Sequence, residues 1–198
     1  MVLRASALHF EPFSNCAARE DDDSDRSPQL WLALDSITDP QNFGALLRSA
    51  EFLGVDGVLT SSRKSAPLSP VVSKASAGAM ELLTVHAVSS LGTALKDLRT
   101  RGWQVLGAEM QLDRPNDSVS YSENESSHKD TVLVLGSEGE GLRRSVKEAC
   151  TGYIHVARGH HGDISSSTAL VDSLNVSVAG GILMHQLVGQ LKKNTNGS

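Results

Sequence analysis

Between an apolar run and a helical pattern lie Gly136-Ser137-Glu138-Gly139-Glu140-Gly141, the stretch of this chain best suited to meeting a small molecule. It follows Val132–Leu135, a continuous β-branched and leucine run, and ligands of open α/β sheets sit beyond the carboxyl ends of strands. The glycine spacing is not G-x-G-x-x-G, and two carboxylates fall inside it. A pyrophosphate needs bare backbone N–H groups or a cation, and Glu138 and Glu140 would repel it. A neutral or cationic ligand fits better: a nucleoside, an amine or a sulfonium. An ordinary strand-to-helix turn, whose glycines supply positive φ, accounts for the same residues equally well.

Two other runs place polar groups at an element boundary. In Asn42-Phe43-Gly44-Ala45-Leu46-Leu47-Arg48-Ser49-Ala50, Asn42 stands where a strand end turns into a helix. Arg48 lies nearly two turns further on, and Gly44 lets another backbone or a ligand approach. A lone helical arginine is more often solvated or ion-paired than functional. In Ser173-Leu174-Asn175-Val176-Ser177-Val178-Ala179, polar residues alternate with apolar ones at a helix head, where serine and asparagine also serve as caps.

The elements that must position these runs alternate regularly. Strands are predicted over Leu30–Ile37, Val55–Ser61, Leu82–Val88, Trp103–Met110, Val132–Gly136 and Tyr153–Arg158. Helices are predicted over Phe43–Leu53 with Gly54 as C-cap, Ser69–Met80 with Pro70 in its first turn, Leu91–Thr100, Arg143–Cys150 and Leu174–Leu191. Gln111–Asp130 reads as a long surface loop, and Gly159–Val171 shows no period. Strand and helix in turn imply an α/β fold, a parallel sheet with helices on both faces.

With 198 residues and 39% hydrophobic content, the chain suits one α/β domain with a core that needs no staples. No apolar run approaches the ~20 residues of a membrane span, so no membrane partner is expected. Cys16 and Cys150 are the only cysteines, which makes a disulfide framework improbable and a reducing compartment the default; organelle and cytoplasm both remain open. The net charge of −5 argues against a free-standing nucleic-acid binder. Residues 1–28, with the acidic run Glu20–Asp25, read as a solvated linker or the tail of an upstream module, leaving 29–198 as the catalytic domain.

Each run is unspecific alone, but their order is not. N-x-G-x-x-x-R-x-A from Asn42, LGSEGEGL from Leu135 and SLNVSVA from Ser173, with VSKASAGAME from Val72 between the first two, resemble the SpoU branch of the SPOUT superfamily. These are S-adenosylmethionine-dependent RNA ribose 2′-O-methyltransferases, and the resemblance, over about residues 30 to 190, is strongest to members acting on guanosine of large-subunit rRNA, bacterial and mitochondrial. It implies a C-terminal trefoil knot, a cofactor bent within it, and a homodimer whose sites are completed across the interface. Backbone at Leu135, Gly136, Val156 and Leu174 would hold the adenosine. Glu138, Ser173 and Asn175 would shape the reacting end, while Asn42 and Arg48 serve RNA. The family proposal makes the motif arginine the base; a guanidinium is essentially never deprotonated, so Arg48 as phosphate clamp and charge stabiliser stands beside it. A tRNA substrate and a catalytically inactive RNA-binding scaffold are the alternatives. A Rossmann dehydrogenase is disfavoured by the acids in the glycine loop.

The sequence departs from the family after Tyr153. Where the family has I-P-M-x-G, this chain has Val156-Ala157-Arg158-Gly159, and an additional run from His160 separates it from Ser173. His155, His160, His161 and Asp163 match no common zinc spacing, so no metal is expected. Glu140 reads as a helix-start residue favoured by the dipole. Arg63, Lys64, Lys74, Arg143, Arg144 and Lys147 read as solvated surface cations in preference to RNA contacts.

Overall fold

Period-two alternation along two central strands decides the architecture. The computed structural model describes residues 8–13, 27–109, 129–157 and 173–195. In β2 (Leu30–Asp35) every residue is buried, and in β6 (Thr131–Gly136) all but the last. Leu30, Leu32, Leu34, Leu133 and Leu135 point into one apolar cluster, and Trp31, Ala33, Val132 and Val134 into another on the opposite face. Burial on both faces is what a central parallel strand requires.

The other strands are β1 (Glu11–Pro12), β3 (Gly57–Ser61), β4 (Val85–Val88), β5 (Gln104–Ala108) and β7 (Gly152–Ile154). All pair in parallel, in the order β1-β4-β3-β2-β6-β5-β7. Helices α1 (Pro40–Leu53) and α5 (Val176–Thr195) cover the leucine face, together with α2 (Pro70–Ser76). α3 (Leu91–Thr100) and the single-turn α4 (Arg144–Lys147) cover the tryptophan face. Among the described residues no helix is long and apolar enough to cross a membrane.

Local chemistry sets the helix ends. Asp39 accepts from Gln41 N and Asn42 N at 3.2 and 3.1 Å, and Pro40 takes the first helical position, so α1 starts three residues before the expected Phe43. It ends at Gly54, whose φ of 74° is the left-handed cap expected there. The helix expected over Ser69–Met80 instead breaks after Ser76, because Ala77 and Gly78 turn left-handed; a 3-10 turn over Ala79–Glu81 then carries Met80 into the core. α4 is a single turn rather than a run to Cys150, since Thr151 is already clamped to β5 through bonds to both polar atoms of the Val105 backbone. β7 stops at Ile154, short of the expected Arg158.

Residues 1–28 were expected to be linker throughout, and Glu11–Phe13 correct that. Glu11 and Pro12 pair in parallel with His86 and Ala87. Phe13 meets Trp31 and His86 edge-on, at ring distances of 5.7 and 6.0 Å, which anchors the segment apolarly where period-two patterning is absent. The acidic cluster, most of the 111–130 loop and the 159–171 run lie outside the described residues.

α2 crosses α1 at Gly44. A Cβ there would stand 2.5 Å from Ala75 Cβ and 2.9 Å from Val72 O, so the close approach anticipated at this glycine is made by a helix backbone. Gly44→Val is expected to lower stability by roughly 1–3 kcal/mol, read as a fall in the thermal unfolding midpoint; an unchanged midpoint would mean that α2 moves off α1 at no cost.

Candidate functional site

At the carboxyl ends of β2 and β6 the chain leaves the sheet in opposite directions. β2 continues into α1 on one face and β6 into α4 on the other. Such a divergence opens the crevice in which α/β proteins hold ligands. The β6–β5 ladder stops at Val134, whereas the β6–β2 ladder runs on through Gly136; β5 ends at Ala108, level with Leu135, so Gly136 projects past it.

Three distant segments are tied together over this crevice. Glu138 Oε1 accepts from Asn42 Nδ2 at 3.2 Å, from Asn175 Nδ2 at 2.6 Å and from Val176 N at 3.2 Å. Asn175 Nδ2 also donates to Asn42 Oδ1 at 2.9 Å, and Asn175 Oδ1 accepts from Ser177 N at 2.9 Å and Ser177 Oγ at 2.5 Å. Asn175 therefore caps α5 with its oxygen and joins the two other segments with its amide nitrogen. That division is why α5 begins at Val176 and not at the expected Leu174. Glu138 lies at the positive end of α5, where a carboxylate is favoured.

The loop carrying Glu138 is a closed turn. Gly141 N donates to Ser137 O at 2.9 Å, the two residues form an isolated bridge, and Gly141 has a φ of 64°. A Cβ on Gly136 would lie 2.3–2.6 Å from the backbone of Gly141 and Leu142. Glycine at 136 is thus demanded by the returning chain itself. Glu140 is exposed in the turn and precedes α4 by several residues, so the helix-start role expected of it is corrected.

Below the loop lies a residue that the sequence reading did not single out. Asp35 is fully buried; its Oδ2 accepts from Arg143 N at 2.8 Å, and its Oδ1 receives Arg143 Nε and Nη2, each at 2.6 Å. Taking a carboxylate out of water costs several kcal/mol, so the bonded arginine is what permits it there. The available signal was an acid closing an otherwise apolar strand. Arg143 is accordingly not the solvated cation expected. Lys147 pairs with Glu109 at 2.6 Å, and Arg144 with Glu148 in an exposed contact of small energetic value. Among the described residues Arg63, Lys64 and Lys74 have no ion pair.

The remaining expected residues divide. Leu135 is buried in the leucine-face cluster, and Val156 packs partly buried against it. Ser173 and Leu174 are exposed just before α5. Arg48 stands apart from the Asn42–Glu138–Asn175 contact, exposed on the outer side of α1 with no ion pair among the described residues. His155 is exposed, His160, His161 and Asp163 lie outside the described residues, and no group able to hold a metal occurs among the described ones. Burial, reinforced by Glu109, pushes the Cys150 thiol up to about 12, so it packs as a small apolar group and is no nucleophile.

A family model described as the SpoU rRNA Methylase family matches residues 29–185. Over 97% of its length the chain is 42% identical to the human protein named rRNA methyltransferase 1, mitochondrial, covering 54% of it. The Schizosaccharomyces pombe protein of that name is 41% identical over 83% of this chain and 53% of its own. The chain thus spans about half the length of these curated relatives. Among solved structures, the SpoU methyltransferase AviRb from Streptomyces viridochromogenes, in complex with AdoMet, matches with a TM-score of 0.65 and 20% identity over 87% of this chain and 60% of that one. The A. aeolicus TrmH/SpoU tRNA modifying enzyme matches with a TM-score of 0.67 and 23% identity, over 85% and 78%. At these identities the solved structures establish the fold.

If the junction of the three segments is a cooperative unit, its members are not independent. Asn42→Ala and Asn175→Ala are each expected to cost about 1 kcal/mol, with Asn175→Ala the larger because it also removes a cap. Urea unfolding of the double variant should then show a non-additivity of about 0.5 kcal/mol or more; strict additivity would mean that the two side chains do not share Glu138 in solution.

Proposed function

The chain belongs to the SpoU rRNA methylase family, and from that membership we propose that it transfers the methyl group of S-adenosylmethionine to a ribose 2′-hydroxyl of RNA. Guanosine of large-subunit rRNA is the favoured acceptor, with residues 29–198 as the methyltransferase domain. The observation that carries the reading is the meeting of Asn42, Glu138 and Asn175 over the ends of β2 and β6. Relatives at about two-fifths identity bear rRNA methyltransferase names, which supports rRNA over tRNA, and their mitochondrial designation supports an organelle.

The donor set fits the cofactor. The backbone of Leu135 and Gly136, beyond the ladder with β5, would offer groups for a purine and ribose, and half-buried Val156 and exposed Leu174 would supply apolar walls. Glu138 brings a negative charge that suits a sulfonium, and Asn42, Asn175 and the α5 amide hold its Oε1 in place. When bound, S-adenosylmethionine would supply an electrophilic methyl group, its thioether leaving with the bonding pair, while the proton of the ribose hydroxyl would pass to water. The chain's task is then alignment, since a positioned pair reacts as an effectively unimolecular system. Ser173 and Asn175 orient the reacting end beside Glu138.

A guanidinium is a poor general base, so the phosphate-clamp role is preferred for Arg48. Its exposure suits binding of the phosphate next to the target ribose and stabilisation of negative charge on the attacking oxygen. Its place on the outer side of α1 also favours a homodimer in which each site is completed across the interface. Phe52 on α1 is 84% exposed, and Val178 and Ile182, four residues apart on α5, are exposed apolar side chains near Leu174 in sequence. The trefoil knot belongs to the same reading and is inferred from membership of the family.

Arg48→Ala is expected to abolish methyl transfer to RNA while calorimetric binding of S-adenosylmethionine persists; near-normal turnover would refute the assignment, and failure of the unaltered chain to bind the cofactor would favour the inactive scaffold. Ribose-methylation mapping in cells lacking the protein separates rRNA from tRNA. Ile182→Asp is expected to convert dimers into monomers in light scattering and to lower activity with them, and a monomeric unaltered chain would remove the paired site.

A further inference from the structure

Asp35 belongs to none of the runs that carry chemistry, yet it holds both ends of the loop that does. Its backbone pairs with Gly136 across the β2–β6 ladder, where the loop begins. Its side chain binds the amide and guanidinium of Arg143, where the loop ends. Between those anchors the chain closes on itself through Gly141 N and Ser137 O, and it carries Glu138 to Asn42 and Asn175. The Asp35 side chain has no exposed surface, so solvent offers no substitute partner if Arg143 moves.

We infer that the Asp35–Arg143 pair is a positioning device for the donor pocket: it fixes where Gly136–Gly141 sits over the sheet edge, and through that loop where Glu138 sits. Neither residue needs to touch substrate for this. The geometry stands by itself, while its consequence for methyl transfer rests on the function proposed above. A purely local role for the pair, supporting the single turn α4, predicts lost stability with an unmoved loop.

The test uses the intact chain, comparing the natural sequence with Asp35→Asn, Arg143→Lys and the core control Leu95→Ala on α3. Hydrogen exchange reads the amides of residues 137–143, and calorimetry reads S-adenosylmethionine affinity. Asp35→Asn is expected to speed loop exchange about tenfold or more and to weaken the cofactor by a similar factor. Arg143→Lys, which keeps a cation but not the fork, should fall between it and the natural protein. Leu95→Ala should lower the thermal midpoint with neither change. Unaltered loop exchange in Asp35→Asn overturns the inference, as does faster exchange with full cofactor affinity. Equal losses in Leu95→Ala at a matched midpoint also overturn it, leaving global destabilisation as the cause. If the natural protein binds no S-adenosylmethionine while Asp35→Asn still loosens the loop, the methyl-transfer reading falls and the positioning of the loop stands.

Discussion

Where β2 and β6 run out side by side, two strands buried on both faces have to release their chains toward water within a residue or two, and every polar group there needs a partner. The parallel ladder carries Asp35 and Gly136 to the same height. From that adjacency the rest follows. Gly136 has no room for a side chain because its own loop returns over it, and Asp35 has no water because the same loop covers it. The arginine at the loop's exit satisfies the acid, and the glutamate in the turn is left to meet two asparagines from other segments.

The acids around the crevice differ by what faces them. Asp35 is neutralised from below by Arg143, and Glu138 is held by amide donors that satisfy hydrogen bonds without cancelling its charge. Glu140 stays in water. Under the proposed function, one oriented negative charge at the end of the strand suits a cation joined to a nucleoside and would reconcile an acidic loop with an RNA substrate. On that reading the repulsive charge would serve the donor, while several cations without an ion pair among the described residues, Arg48, Arg63, Lys64 and Lys74 among them, take no part in the Asn42–Glu138–Asn175 junction.

Legibility followed the range of the forces involved. α3 runs from Leu91 to Thr100 as the pattern predicts, because Ser90 caps it and Gly102 turns the chain after it, and both signals are local. The central strands were readable because burial on two faces leaves continuous apolar runs. α2 and α4 came out shorter than predicted, where a left-handed Ala77 and a threonine clamped to a neighbouring strand override propensity. The edge strand at Glu11–Pro12 was invisible for a related reason: two residues carry no period, and what holds them is Phe13 against rings from elsewhere in the chain.

By itself the sequence determined the alternation of strand and helix, the two carboxylates inside the glycine loop, and three polar runs in a telling order. All of these are properties of neighbours along the chain. Only the tertiary structure decided that Asn42 and Asn175 share one carboxylate oxygen of Glu138 while exposed Arg48 takes no part in that contact. It also turned Arg143 from a surface cation into the partner of a buried acid. Those outcomes depend on strand order and ladder register, which bring together residues 108 positions apart, and a hydrogen bond over a few ångströms leaves no trace in spacing along the chain.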